Sequence, residues 1–404
     1  MSEEKFIRFL LEHEGDDPDR LLLSAGRWPD IDVRRVARCL QARRIIREKV
    51  PAWHAHPELD YPGSLPLEQC SSEATARYKQ AFVPEGGRIA DLTGGLGVDS
   101  WFLSQRAGEM HYCERNPDLC AVARHNFAAL GSRIAVHAGD GLAWLQEQPG
   151  RFDLLYLDPA RRDRAARRVY DISDCEPDLK ACKDLLLQHA DQVLAKISPM
   201  ADISRTLTEL PEIRELHVVA VGGEVKELLL LLENGTVHTP RILVADGPHR
   251  FAFRPEEEPA AEVRYTEQVG PYLFQPSKAL RKAGAFRLLS ARFGLAKLAP
   301  STHLYTAGAP VAEFPGKTFE VEDVLAWNKD TLRQLRQRYG QLEMTALNFP
   351  LTTEALRSRL GIPDGGAHHL FATTLSDKRK ILILCKTSEK TTPRSKGSTT
   401  CDNC

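Results

Sequence analysis

Four acidic residues and one cluster of glycines fall where a nucleoside site would need them. In "RIADLTGGLGVDSWFLS" (residues 88–104) a short apolar run ends in Asp91, Gly94, Gly95 and Gly97 follow, and a helical pattern then resumes. Glycine packs nothing and costs conformational entropy, so such a cluster serves either a tight turn or the close approach of backbone to a ligand. Further acids end successive apolar runs: Glu114 in "HYCERN", Asp140 in "HAGDG" and Asp158 in "LYLDPARR". Each has a task if the ligand is a nucleoside carrying a cationic amino acid. Amides at the helix start after the glycines suit a carboxylate, and Asp91 suits the ammonium. Glu114 can hold a pair of ribose hydroxyls, Asp140 can accept from the exocyclic amine of adenine, and Asp158 with Pro159 faces the reacting centre. A nicotinamide dinucleotide fits less well, because "GGLG" lacks the G-x-G-x-x-G spacing and its chemistry has no use for Asp140 or D-P-A-R.

These residues need a scaffold that gathers strand ends. From Arg88 onward, strand-like runs ("RIADL", "EMHYCE", "RIAVHAG", "FDLLYLD", "QVLAKIS", "LHVVAVG") alternate with helical ones ("DSWFLSQRA", "DLCAVARHNFAAL", "DLKACKDLLLQHA", "ISRTLTEL", "VKELLLLLEN"). The alternation predicts an α/β fold with a doubly wound, mainly parallel sheet, in which ligands lie beyond the carboxyl ends of the strands. "RILVADG" and "RFAFRPE" read as further strands near its edge. Residues 1–80 carry apolar residues three and four apart and predict a helical region, broken by Pro51, Pro57, Pro62 and Pro66. Past "RPEEEPAAE" the alternation stops, placing a boundary near residue 256. Beyond it an α+β region is expected, with helices over 276–294, 321–340 and 353–361 and strands at "EMTALNF", "HHLFATTL" and "KILILCK". Residues 388–404 are rich in Ser, Thr and Lys and are expected to be disordered.

The chain has 404 residues, 42% hydrophobic and 27% charged, enough for two to four domains. Its 54 basic and 55 acidic residues leave a formal net charge of -1, so any basic face is local. Nine cysteines, mostly scattered, form no disulfide framework or paired zinc half-sites and fit a reducing cytoplasm. The terminal "CDNC" is a lone C-x-x-C, and the close pairs His54/His56 and His368/His369 lack partners at ligand spacing, so no metal is expected. The acidic N-terminal stretch is unlike a signal segment. "ELLLLLEN", the longest apolar run, is too short to cross a bilayer, and a soluble protein with no membrane partner is expected.

Residues 88–165 resemble class I S-adenosylmethionine-dependent methyltransferases: "DLTGGLGVD" is similar to the cofactor loop, "CERN" to the ribose-binding acid, "AGD" to the adenine-side acid, and "LDPAR" to the D/N-P-P-x motif. The run from "DLTGGLGVD" to "CERNP" is particularly similar to bacterial ribosomal-RNA guanine-N2 methyltransferases. The wider chain, with "LPLEQCSSEATARYK", "YLFQPSKALRKAGAF", "HLYTAGAPVAEFPGKTFEV" and "DGGAHHLFATTL", resembles bacterial methyltransferases with a ferredoxin-like insert and a THUMP-like C-terminal domain. The resemblance implies a Rossmann-like methyltransferase sheet over 81–256, a ferredoxin-like domain over 257–318 and a THUMP-like domain over 319–387, after a helical region over 1–80. It implies S-adenosyl-L-methionine as cofactor, held by Asp91, Thr93, Gly94, Gly95, Gly97, Asp99, Glu114, Arg115, Asp140 and Gly141. It also places Ser72, Glu73 and Thr75 beside the cofactor, against the plainer reading of a helix cap at Ser71 or Ser72.

Departures from the family bear on the acceptor. Where amino-methylating enzymes carry D-P-P-Y, this chain has Asp158, Pro159, Ala160 and Arg161. Arg161 cannot stack like tyrosine, although its guanidinium plane can lie on a base and reach a phosphate. "DPAR" also resembles the D-P-P-R of RNA 5-methyluridine methyltransferases, but Ser198 stands where their cysteine nucleophile is expected, and a hydroxyl is poor at that addition. Arg161, Arg162, Arg164, Arg167 and Arg168 follow Asp158 closely and can grip phosphates, unless they form a solvated face. Glu224 and Lys226, after the expected sixth strand, line the same mouth or form a helix-start ion pair. The expected function is methyl transfer to RNA, on a guanine exocyclic amine of ribosomal or transfer RNA, with Asp158, Pro159 and Arg161 catalytic and no metal. The alternatives are a protein or small-molecule methyltransferase, or an RNA-binding protein without turnover.

Overall fold

A computed structural model describes residues 2–161, 175–235 and 239–387. Six helices fill the first stretch: α1 (Glu3–Glu12), α2 (Pro18–Leu23), α3 (Val33–Lys49), α4 (Pro51–His54), α5 (Ser64–Gln69) and α6 (Glu73–Gln80). Ser2, Asp17, Asp32 and Ser72 start four of them, each side chain accepting an N–H that the first turn leaves unpaired. Phe6, Leu10, Val36, Leu40, Ile46 and Trp53 form a buried core that also takes in Leu96, Val98 and Phe102. The helical region therefore packs directly on the segment that follows the glycine cluster.

The strands alternating with helices form one sheet: β1 (Arg88–Asp91), β2 (Glu109–Glu114), β3 (Ile134–Ala138), β4 (Phe152–Leu157), β5 (Ala190–Ile197), β6 (Ile213–Val221), β7 (Glu224–Glu233) and β8 (Arg241–Asp246). Helices α7 (Val98–Ser104), α8 (Pro117–Ala129), α9 (Gly141–Gln146), α10 (Leu179–His189) and α11 (Ile203–Glu209) connect them. Neighbours run β8-β6-β7-β5-β4-β1-β2-β3. All are parallel except β7, which is antiparallel to both β5 and β6. From β1 the chain winds outward through β2 and β3, then returns to β4 on the other side of β1. The crevice beyond Asp91 and Leu157 is therefore the point where strand order reverses.

The helix expected over "VKELLLLLEN" is instead β7. Gly222 and Gly223 both have positive φ (61° and 76°), the backbone of a two-residue hairpin turn, so the chain reverses into a strand. Leu228 through Leu232 are buried, and a run apolar on both faces carries neither the helical nor the alternating period.

Contacts divide the chain into two compact units, residues 1–247 and 248–404. The second contains the strand β9 (His249–Phe253) and the helices α12 (Glu257–Ala260), α13 (Lys278–Ala283), α14 (Arg287–Phe293), α15 (Lys329–Arg338) and α16 (Thr353–Leu360). The single helix expected over 276–294 is split into α13 and α14, because Gly284 adopts φ 81° and ends the first. The helix expected over 321–340 starts only where Asn328 caps α15; the residues before it are strand.

That strand belongs to a sheet in the order β11 (Ala296–Ala299), β12 (Thr302–Ala307), β10 (Tyr272–Pro276), β13 (Gly316–Ala326), β16 (Lys380–Thr387), β15 (His368–Thr374) and β14 (Glu343–Leu347), with the two-residue strand Arg264–Tyr265 at the edge beside β11. The long β13 pairs with β10 on one side and β16 on the other. The boundary expected between 318 and 319 thus falls inside a strand. No helix among the described residues is long and apolar enough to cross a membrane.

Candidate active site

The turn after β1 is held from three sides. Leu92 N donates to Tyr156 O (2.9 Å), Gly94 N to Cys113 O (2.8 Å), and Gly95 N to Glu114 Oε2 (2.9 Å). Tyr112 Oη donates to Gly95 O (2.6 Å). Two of the three glycines are required by the chain's own packing. A Cβ on Gly94 would lie 2.1 Å from the Tyr112 ring, and one on Gly97, where φ is 89°, would lie 2.7 Å from Phe127. Gly95 differs: φ is 55°, and a Cβ there would meet only Thr93 O at 3.9 Å. It is the part of the loop that a ligand can approach closely.

The strand-end acids divide into two groups. Asp91 is 1% exposed, and its oxygens accept from Thr93 N (3.0 Å) and Ser100 Oγ (2.5 Å). Burial pushes its carboxyl up to about 7. It braces the loop from within, in place of the expected direct hold on an ammonium. Asp99 is also turned inward and accepts from Ser71 Oγ (2.7 Å), Tyr156 Oη (2.9 Å) and Lys79 Nζ (3.1 Å).

Glu114, Arg115, Asp140 and Gly141 form the other group, at the rim. Glu114 is half-buried and accepts Gly95 N and Asn116 N (2.7 Å). Asp140 caps α9 through Ala143 N (2.9 Å) and accepts from Arg115 Nε (2.9 Å), while Arg115 also pairs with Glu176. Burial works to raise the Asp140 carboxyl, but the Ala143 N–H and Arg115 hold it below the usual range. Gly141 lets this loop close on β1, since a Cβ there would sit 2.3 Å from Leu92 O.

Asp158 completes the crevice. Its N–H donates to Thr93 Oγ1 (2.6 Å), stitching D-P-A-R to the glycine loop, and its Oδ2 accepts from Lys196 Nζ (2.6 Å). Ala160 and Arg161 pair with Glu176 and Cys175 as a short antiparallel bridge. Arg162, Arg164, Arg167 and Arg168 lie outside the described residues. Glu224 and Lys226 open β7 at the edge where the parallel strands end, both exposed.

Beneath the crevice lies a group of charges that sequence reasoning missed. Lys79 is fully buried and reaches Ser71 Oγ (3.0 Å), Asp99 and Glu227 (2.9 Å), the latter 2% exposed. Burial works to raise the Asp99 carboxyl, yet Lys79 and Lys196 hold it low; for Glu227 burial prevails and its carboxyl is raised. Ser72 caps α6 through Thr75 N (3.3 Å), the cap that the plainer reading names, and Glu73 accepts Ala52 N (2.8 Å). Ser198 Oγ closes the turn after β5 by accepting Met200 N (3.2 Å). Each expected histidine pair engages carboxylates, His54 with Glu14, His56 with Glu58, His368 with Glu322 and His369 with Glu343.

Residues 272–315 match a ferredoxin-like domain and residues 316–387 a THUMP domain-like family. A crystal structure of a candidate methyltransferase from Porphyromonas gingivalis W83 is 37% identical, covers 95% of this chain and 98% of that one, and superposes with a TM-score of 0.86. An uncharacterised S-adenosylmethionine-dependent methyltransferase of Mycobacterium tuberculosis is 27% identical over 299 residues, 73% of this chain and 79% of the relative. The chain belongs to the S-adenosylmethionine-dependent methyltransferases. A 91-residue stretch of this methyltransferase is also 32% identical to ribosomal RNA small subunit methyltransferase J of Marinobacter nauticus, over 20% of this chain and 33% of that protein.

The site suits the methyltransferase's cofactor, S-adenosylmethionine: room for close approach at Gly95, a carboxylate at Glu114 for hydroxyls, and Asp140 held by Ala143 N and Arg115. Replacing Glu114 with alanine should weaken S-adenosylmethionine binding by about 1.5–3 kcal/mol, the range for hydrogen bonds to a charged group. Calorimetry measures it, and unchanged affinity would remove Glu114 from the ribose site.

Proposed function

We propose that this methyltransferase modifies RNA, on an exocyclic amine of guanine in ribosomal or transfer RNA, in the cytoplasm. The observation that carries the reading is the setting of Asp158. Thr93 fixes its backbone and Lys196 its Oδ2, while Oδ1 has no hydrogen bond among the described residues. A carboxylate so held is a directional acceptor for an amine N–H. The similarity of a 91-residue stretch to a ribosomal RNA methyltransferase supports the substrate class.

In this reading Asp91, Thr93, Gly94, Gly95, Gly97 and Asp99 shape the cofactor loop, and Glu114, Arg115, Asp140 and Gly141 hold the nucleoside. Bound S-adenosylmethionine supplies a methyl group on a sulfonium. Asp158 Oδ1 accepts one N–H of the target amine and the Pro159 carbonyl a second, which aims the nitrogen lone pair. Rate enhancement comes mainly from this positioning. The proton released from the amine passes to the Asp158 carboxylate, whose side chain is 36% exposed and can return it to water. Arg161, with Glu224 and Lys226 at the rim, contacts the RNA near the base, and residues 260–387 supply a second RNA contact.

Nucleoside mass spectrometry of total RNA from cells with and without the gene tests this reading. Loss of one N2-methylated guanosine is expected; an unchanged profile would shift the acceptor to a protein or small molecule. A second expectation concerns Arg162, Arg164, Arg167 and Arg168. If they grip phosphates, replacing Arg164, Arg167 and Arg168 with alanine should flatten the salt dependence of RNA affinity by about two to three units, one for each lost contact. S-adenosylmethionine affinity should not change, and a salt slope equal to the wild type's would identify the run as a solvated loop.

A further inference from the structure

Lys196 lies at the carboxyl end of β5, beside β4 in the sheet, with its side chain 15% exposed. An ammonium carries three N–H donors, and buried donors are seldom left without acceptors. One meets Asp158 Oδ2 at 2.6 Å. No other hydrogen bond to this ammonium occurs among the described residues. The neighbouring acids do not need it as a direct partner, because Asp99 and Glu227 are already bonded to Lys79. Burial works against the charge, but Asp158, Asp99 and Glu227 outweigh it and keep the group protonated.

The crevice therefore presents two complementary groups side by side: Asp158 Oδ1, which accepts, and the remaining N–H bonds of Lys196, which donate. An amine flanked by a ring nitrogen or a carbonyl offers the matching edge, as amino-substituted nucleobases do. We infer that Lys196 is a second acceptor-recognising residue, donating to the ring nitrogen or carbonyl beside the target amine while Asp158 accepts from the amine. This rests on the RNA reading above and adds a specificity element to it. An amine without such a neighbour would leave the ammonium with unmet donors in a largely buried place and would be rejected.

The test uses the full-length protein, total RNA from cells lacking the gene as acceptor, and a tritiated methyl donor. Lys196→Met should lower kcat/KM for RNA by roughly 10- to 100-fold, the span for a hydrogen bond to a charged group, with part of the loss in KM. S-adenosylmethionine affinity by calorimetry should stay at the wild-type value, while the melting temperature of Lys196→Met falls, because one of the two cations that hold Asp99 low is lost, and that of Lys196→Arg does not. Lys196→Arg, which keeps the donors, should recover much of the activity. A Lys196→Met enzyme as active as wild type overturns the inference, as does a loss confined to kcat, which would make Lys196 only a brace for Asp158. A fall in cofactor affinity and melting temperature shared by both variants also overturns it, in favour of a structural role. If wild-type protein transfers no methyl group to this RNA, the RNA reading itself fails and the inference falls with it.

Discussion

Replacing Asp158 with asparagine should lower kcat for methyl transfer by roughly 10²- to 10³-fold, the cost of losing one preorganised electrostatic contact, while S-adenosylmethionine affinity stays at the wild-type value. Asparagine is the informative substitution because it preserves shape. Its carbonyl oxygen can still accept from Lys196, which then turns the amide nitrogen, a donor, toward the acceptor amine, also a donor. Alanine would instead leave a largely buried ammonium unpaired and confuse loss of chemistry with loss of stability. Thr93 fixes the backbone at this position, so the cofactor loop should not move. Tritium transfer to RNA and calorimetry separate the two terms. Retained activity would remove Asp158 from the mechanism, and lost cofactor binding in a folded protein would make it a cofactor ligand.

The largest stability effect is expected at Lys79. Changing it to methionine keeps the volume but leaves Asp99 and Glu227 without their cation, and breaking one side of a buried ion pair costs about 3–5 kcal/mol. Urea unfolding followed by tryptophan fluorescence measures it, since Trp28, Trp53, Trp101 and Trp144 all lie in residues 1–247. The deficit should depend on pH in a defined direction. In the wild type Lys79 and Lys196 hold Asp99 low against its burial, a contribution present above the ordinary carboxylate range and lost on acidification. Without Lys79, burial acts on Asp99 with only Lys196 opposing it, and the folded state takes up protons more readily than the unfolded one. The variant's deficit should therefore shrink as the pH falls from neutrality toward the ordinary carboxylate range. A deficit below about 1 kcal/mol, the scale of an exposed ion pair, would sink the description of a buried charge cluster.

What could be read from the sequence was local. An apolar run ending in an acid and followed by glycines marks a strand and its turn, and such runs alternating with helices mark a parallel sheet; β1 to β6 lie where those patterns predict. The placement of Glu114, Asp140 and Asp158 at strand ends followed from the same logic. The inward turn of Asp91 did not, because its partner Ser100 lies on the far side of the glycine turn. Strand β7 escaped because its leucines are buried on both faces; the Gly222-Gly223 pair was the available signal. Lys79, Lys196 and Glu227 look like ordinary surface charges in their own segments. Lys79 and Glu227 are 148 positions apart, and only the folded chain joins them.

The sharing of β13 has a practical meaning for how such proteins can be taken apart. A cut between residues 315 and 316, where the ferredoxin-like match ends and the THUMP-like match begins, would strip β13 from β10 and leave each fragment with a bare sheet edge, an invitation to aggregate. The two stretches are thus one cassette: swapping the THUMP-like part between relatives would transplant half a sheet, whereas exchanging both together, along with the Arg264–Tyr265 strand that pairs with β11, would carry every hydrogen-bonded seam of that sheet intact.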